Sequence, residues 1–308
     1  MPNRTDLIYR YDGTFEGLLT CVFEGFAQKE TPAAILSPDT PQTQLYPSRE
    51  IETDFIKARR VLAAIPKKIS QQALDWVTLG FFTCHPEKEL LVFRFLKLGF
   101  AQGAPVTAML YDNRVRELQK AVDQLTGEAH KWKGFVRFSD TGGALTAIIE
   151  PKNMVLPLLS DHFSGRYPRE YFMIYDKTHG MALIHRPGKA AIIPVEGLSL
   201  PQPDAREQAY RRLWKRFYDT IAIEGRNNPR CRMSQMPKRY WKHMTELTEA
   251  PAAAGDLPET REHRSQAFPL LSVGSNSERC VIPTKPARAA EKNVRRHTGT
   301  AQFSRDEI

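Results

Sequence analysis

The chain has 308 residues, 41% of them hydrophobic, enough for the core of one large domain or two ordinary ones. No apolar run nears the roughly 20 residues of a membrane-spanning helix, and the first thirteen residues lack the apolar stretch of a signal peptide. Cys21, Cys84, Cys231 and Cys280 are too scattered for a zinc knuckle or a redox pair, so a cytoplasmic protein without a metal site is expected.

Leu7 to Tyr11 predicts a strand, Asp12-Gly13 a turn, and Thr14 the N-cap of a helix. Phe15, Leu18, Leu19, Val22, Phe23 and Phe26 then recur at helical spacing, with Cys21 off that stripe and read as structural. Ala33 to Leu36 reads as a second strand. Ile51, Phe55, Ala58 and Leu62 predict a helix, and another runs from about Ser70 to Cys84. Cys84-His85-Pro86 reads as a terminating loop and not as a catalytic dyad, because adjacent helical residues point about 100° apart. A long helix is expected from about Val106 to Leu125, carrying Val115, Leu118, Val122 and Leu125.

The period then changes. Phe135, Val136 and Phe138, followed by Leu145, Ala147, Ile148 and Ile149, bracket Asp140-Thr141-Gly142-Gly143 as a β-hairpin would. Met154 to Phe163 reads as a short helix. Tyr171 to Tyr175, Met181 to His185 and Ala190 to Val195 read as three more strands. The expected class is α+β, an antiparallel sheet of short strands with several packed helices. One domain is expected over residues 1–247, helical at about 50–127, sheet at about 132–196, with basic helices at about 205–245. Residues 248–308, rich in Ala, Pro, Ser, Thr and charges, read as a low-complexity disordered tail.

The chain carries 44 basic and 35 acidic residues, a net charge of +9, which favours a polyanionic partner. The excess is local. Residues 206–243 hold eleven basic residues against Glu207, Asp219 and Glu224, a net +8. In this stretch Tyr210, Leu213, Trp214, Phe217 and Ile221 share one helical sector, expected to dock on the core with Trp214 as an anchor. Arg211, Arg212, Lys215 and Arg216 are expected to face outward. Arg226, Arg230 and Arg232 follow in a polar loop. Lys238, Arg239, Tyr240, Trp241 and Lys242 interleave cations with aromatics, a composition suited to phosphate contact and base stacking. Lys131, Lys133 and Arg137 extend the expected nucleic-acid surface, with Arg137 placed on a strand.

Absent motifs narrow the chemistry. There is no P-loop, no dinucleotide-binding glycine pattern and no cysteine triplet for an iron–sulfur cluster. His130, His162 and Glu150 are the acid–base candidates.

Tyr11 to Leu19, His130 to Phe138, Ile149-Glu150-Pro151, Leu156 to Leu159, His162-Phe163 and Arg166-Tyr167-Pro168 occur in order. Leu213-Trp214-Lys215, Phe217 to Ile223, Asn228-Pro229-Arg230 and Met236 to Trp241 follow. This series, across about residues 6–247, resembles the bacterial family labelled "probable DNA metabolism protein", also described as SAM-associated. The resemblance implies a DNA-repair role beside a radical S-adenosylmethionine protein, or fusion to a uracil-DNA-glycosylase-like domain. Lacking the glycosylase motifs, this chain resembles the stand-alone form. The implied partner would carry the iron–sulfur cluster and S-adenosylmethionine, with no cofactor in this chain and no catalytic residue assigned by the family. The favoured reading is a DNA-binding accessory protein. An enzyme with a pocket near His130, His162 and Glu150, or a scaffold for an acidic protein partner, are the alternatives.

Overall fold

The computed structural model describes residues 6–38, 46–195, 197–198 and 203–247. The tail expected over 248–308, and residues 199–202 of the linker before the last long helix, lie outside them. The described chain is α+β, with two sheets. No helix among the described residues is long and apolar enough to cross a membrane.

In the first sheet β1 (Ile8–Arg10) lies between β2 (Ala34–Leu36) and β3 (Ser48–Glu50), all parallel. Parallel neighbours need a crossover, and α1 (Phe15–Ala27) supplies it between β1 and β2. The helix starts where its N-cap predicts, the Thr14 hydroxyl accepting from the Gly17 amide at 3.0 Å. Phe15, Leu18, Leu19 and Val22 are buried, whereas Phe26 at the stripe's end is 43% exposed. Cys21 is fully buried, and desolvation pushes its thiol well above the ordinary range, which suits an inert packing role. A Cβ at Gly25 would stand 2.5 Å from the Phe93 ring, so α1 and the helix bearing Phe93 approach this closely only with glycine there. The polar triplet of β3 was not foreseen as a strand. Its pairing with β1 defines it, not its pattern.

Four helices follow: α2 (Phe55–Lys68), α3 (Gln71–Phe81), α4 (Lys88–Gln102) and α5 (Asn113–Phe135). Capping by Asp54 starts α2 and turns Ala58, Val61 and Ile65 inward, leaving Phe55 exposed. The helix expected over Val106–Leu125 is displaced. Gly103, at φ +71°, opens a 3-10 turn over Ala104–Ala108, and Asp112 caps a new helix. That helix runs on through the basic stretch to Phe135 because Val122, Leu125, Ala129 and Trp132 continue its buried face. Phe135, Val136 and Arg137 are therefore not strand residues. The strand β4 is only Ser139–Asp140.

The second sheet has the order β4-β5-β6-β7-β8, with β5 (Leu145–Ile149), β6 (Phe172–Asp176), β7 (Met181–Arg186) and β8 (Lys189–Pro194). The fully antiparallel sheet expected from the sequence is corrected here to a mixed one. α6 (Leu156–Arg166) carries the chain back across the sheet, so β5 and β6 pair in parallel, while the tight turns elsewhere keep the other pairs antiparallel. The two-residue period puts Ala147, Ile149, Phe172, Ile174 and Leu183 on the helix-covered face, with Met173, Tyr175 and Ala182 in a smaller cluster opposite.

Two cores result. The first gathers β1, α1 and the faces of α2 to α5; the second joins α5 and α6 to the large sheet, with Leu79 and Phe81 packed against both. A C-terminal 3-10 turn, Lys238–His243, closes the second core. Its Tyr240 is wholly buried, 4.8 Å edge-on to Trp132 and 5.1 Å from Phe135. Truncating a fully buried aromatic leaves a cavity, so Tyr240→Ala should lower the unfolding free energy by about 3–5 kcal/mol in urea titrations. Tyr111→Ala, at a residue 79% exposed, should stay within about 0.5 kcal/mol of wild type.

Candidate nucleic-acid interface

The basic stretch folds as α7 (Ala205–Ile221), a short 3-10 turn at Glu224–Arg226, α8 (Pro229–Gln235) and the Lys238–His243 turn. Asp204 caps α7 through the Glu207 amide at 2.7 Å. The helix forms as predicted, but its orientation does not follow its apolar stripe. Glu207 is its one buried residue and accepts from the Asp140 amide, while Arg211 bonds both Glu207 and Ser139. Trp214 Nε1 donates to Glu246 at 3.0 Å, and Lys215 reaches the Glu246 carbonyl. Polar contacts thus turn the Glu207–Arg211–Lys215 side toward the body. Tyr210, Leu213, Trp214, Phe217 and Ile221 remain 40–58% exposed. Neither the docked apolar face nor the outward Arg211 and Lys215 expected from the sequence is present. Trp214 is not a core anchor.

The acid that organises this region is Glu246, whose side chain is 3% exposed. Arg137 donates to both its oxygens, at 3.1 and 2.5 Å. Burial raises the carboxyl, yet the bonds from Arg137 and Trp214 outweigh it and hold it below the ordinary carboxylate range. Glu128, also 3% exposed, pairs with Arg239 at 3.0 Å. It accepts as well from the amides of Lys152 and Asn153 and from Asn153 Nδ2. Lys242 pairs with Glu150, keeping that carboxyl low.

The predicted cations therefore divide. Arg137, Arg211, Arg239 and Lys242 are joined to acids. Arg216, Arg226, Arg230 and Lys133 are exposed, and Arg212 and Lys131 are half-buried. Arg232 and Lys238 stand 5.7 and 5.9 Å over the half-buried Trp241 ring, whose Nε1 donates to the Met236 carbonyl. Tyr240, expected to offer a face to a base, is part of the core. Trp241 is the ring of the pair that keeps accessible surface.

The acid–base candidates do not converge as expected. His130 is exposed on α5. His162 is half-buried on α6, its basicity lowered by burial and by the charges of Lys133 and Arg166. Glu150 meets neither among the described residues; its partners are Lys242 and His243, the latter at 3.5 Å. His243 was not foreseen. Burial holds its imidazole below the ordinary range, against the pull of Glu150, and its Nε2 makes no hydrogen bond. Lys242 and His243, with Arg137, Arg211, Ser139 and Thr146, line a cleft of about 270 Å³. No group of three or more His, Cys, Asp or Glu side chains is arranged to hold a metal among the described residues. Glu128 had a signal in the sequence, a carboxylate on the apolar face of α5 beside Ala129 and Trp132. Glu246 and His243 had none.

The depressed Glu246 carboxyl links its ion pair to pH. Its folded-state pKa lies below the ordinary value, so the stabilisation is complete above that value and is lost as pH falls through the folded one. Glu246→Gln should cost about 3–5 kcal/mol near pH 7, as breaking a buried pair does. Urea unfolding between about pH 5 and pH 2 should show a shallower acid loss in the variant than in wild type.

No curated protein and no solved structure matches the chain. The model of one family, described as Domain of unknown function (DUF4130), matches residues 86–246, more than half of the chain, from the approach to α4 through the Glu246 ion pair. The chain belongs to that family.

Proposed function

We propose that this protein binds DNA through the basic segment of α7, α8 and the Lys238–His243 turn, as an accessory factor in DNA metabolism or repair. The observation that carries this reading is the strongly positive excess left over after the ion pairs form, against which Asp219 is an exposed acid. Arg216, Arg226, Arg230 and Lys238 are exposed and Arg212 half-buried, with the Trp241 ring near Arg232 and Lys238. Cations of one sign beside an accessible indole suit phosphate contact and base stacking. The four paired cations act differently, fixing the segment to the body. The motif series that resembles the SAM-associated DNA-metabolism family supports a radical S-adenosylmethionine partner, which would carry the iron–sulfur cluster.

Each phosphate contact removed lowers the salt slope of log affinity by about 0.9 on duplex DNA. Arg212→Ala with Arg216→Ala should therefore weaken binding and flatten its salt dependence by up to about two units, with little change in melting. Trp241→Ala should weaken single-strand binding by about 1–3 kcal/mol. Fluorescence anisotropy with labelled oligonucleotides across a salt series reads both. Wild-type binding by the double arginine variant at low salt would assign the surface to an acidic protein partner or to solvent.

A second reading is an enzyme acting on nucleic acid, and one observation favours it: His243 Nε2 stands 3.5 Å from the Glu150 carboxylate at the cleft. A neutral imidazole next to a carboxylate is competent to accept a proton. In any DNA-processing assay with the partner protein, His130→Gln and His162→Gln should leave the rate within a few-fold of wild type. If the enzyme reading holds, His243→Gln should lower it by about 10²-fold or more at unchanged DNA affinity. A rate indifferent to His243 removes that reading.

A further inference from the structure

α7 is 17 residues long and buries only Glu207. The contacts that hold it to the body are polar ones, through Asp140, Ser139 and Glu246. Its apolar stripe is left in solvent, with Tyr210, Leu213, Trp214, Phe217 and Ile221 each 40% exposed or more. A helix normally gains its stability by burying such a stripe, and a contiguous exposed one marks a surface for another molecule.

The spacing decides what shape fits there. Tyr210, Trp214, Phe217 and Ile221 stand four, three and four positions apart. That alternation keeps side chains in line along one flank, as in the seam against which a second helix packs. Charge then selects the kind of helix. Arg206 stands 5.7 Å over the Tyr210 ring and Arg137 6.0 Å over the Trp214 ring. Arg226 is exposed just past the end of α7. The two acids of α7 lie elsewhere: Glu207 is buried, and at about 100° per residue Asp219 falls opposite the stripe. A second copy of the helix would set like charges together, whereas a helix with carboxylates beside its apolar positions is attracted.

We infer that the stripe of α7 docks a partner protein through an amphipathic helix with an acidic rim. Arg212, one of the cations proposed to meet DNA, falls nearly opposite the stripe on the same helical projection, so one helix has a separate face for each contact. The seam stands whether or not those cations meet DNA.

Two synthetic helices test this on the full-length protein, each with leucine at the seam positions, flanked in one by glutamate and in the other by lysine. The glutamate helix should bind about tenfold or more tightly than the lysine helix in fluorescence anisotropy, and should slow hydrogen exchange of the α7 amides. Leu213→Gln with Phe217→Gln, at exposed and therefore tolerant positions, should weaken that binding by about tenfold or more while duplex DNA affinity stays unchanged. Arg206→Glu should narrow the preference for the glutamate helix. Equal binding of the two helices, or binding of neither, overturns the proposal. Protection of α7 in the protein alone overturns it too: if it fades on dilution the stripe belongs to a second copy, and if it persists at every concentration the stripe is covered within one chain.

Discussion

A carboxylate taken out of water costs several kcal/mol unless it is paired and hydrogen-bonded, and the placement of Glu246 answers that requirement. Arg137 alone satisfies it from two directions, and the indole of Trp214 adds a third donor. In doing so the pair ties the end of the described chain to the junction between α5 and β4, 109 positions earlier. It also fixes how α7 is rotated. The stripe of that helix would favour the opposite choice, and the polar contacts prevail because a buried acid without partners costs more than apolar side chains left half in water.

The same logic runs through the rest of the basic segment. Glu128 collects Arg239, Asn153 and the Lys152 amide at a second buried carboxylate. Glu150 holds Lys242 at a third position. Cations that a reading of charge alone would count as one surface therefore serve two purposes. Those opposite buried acids are structural, and the ones left over give the region its sign. The division matters for function, since a paired arginine has less to offer a phosphate than one in solvent.

Much of the fold was legible in the sequence. The first helix and its cap, the hairpin around Asp140–Gly143, α6 and the strands β6 to β8 all fall where apolar spacing and turn chemistry place them. What was not legible has identifiable causes. Local patterning does not report strand direction, so the parallel β5–β6 pair, set by a crossover, was missed. It does not report non-local pairing either, so the polar β3 went unseen. The extension of α5 to Phe135 was hidden because aromatic residues at its end suit strand and helix equally. The candidate site was legible as a charge excess but not as an arrangement. Burial of Tyr240, the turn of α7 and the Glu150–His243 neighbourhood depend on contacts between segments about 70 to 110 positions apart, which spacing within one helix cannot encode.

The Glu128 site has a consequence for what counts as an autonomous unit in this family. Asn153, held by Glu128, accepts from the Cys84 amide at 2.8 Å, and the Phe82 carbonyl accepts from the Met154 amide at 3.0 Å. Phe82 belongs to the second core, with Leu79 and Phe81 packed against it. Yet the family match begins at residue 86. A fragment cut at that boundary would keep the acid and lose the stretch of chain that its neighbour caps, removing Phe81 and Phe82 and baring the faces of the second core that they cover. The stretch that is shared and the stretch that can fold are not the same, and the physical edge of this module lies inside α3.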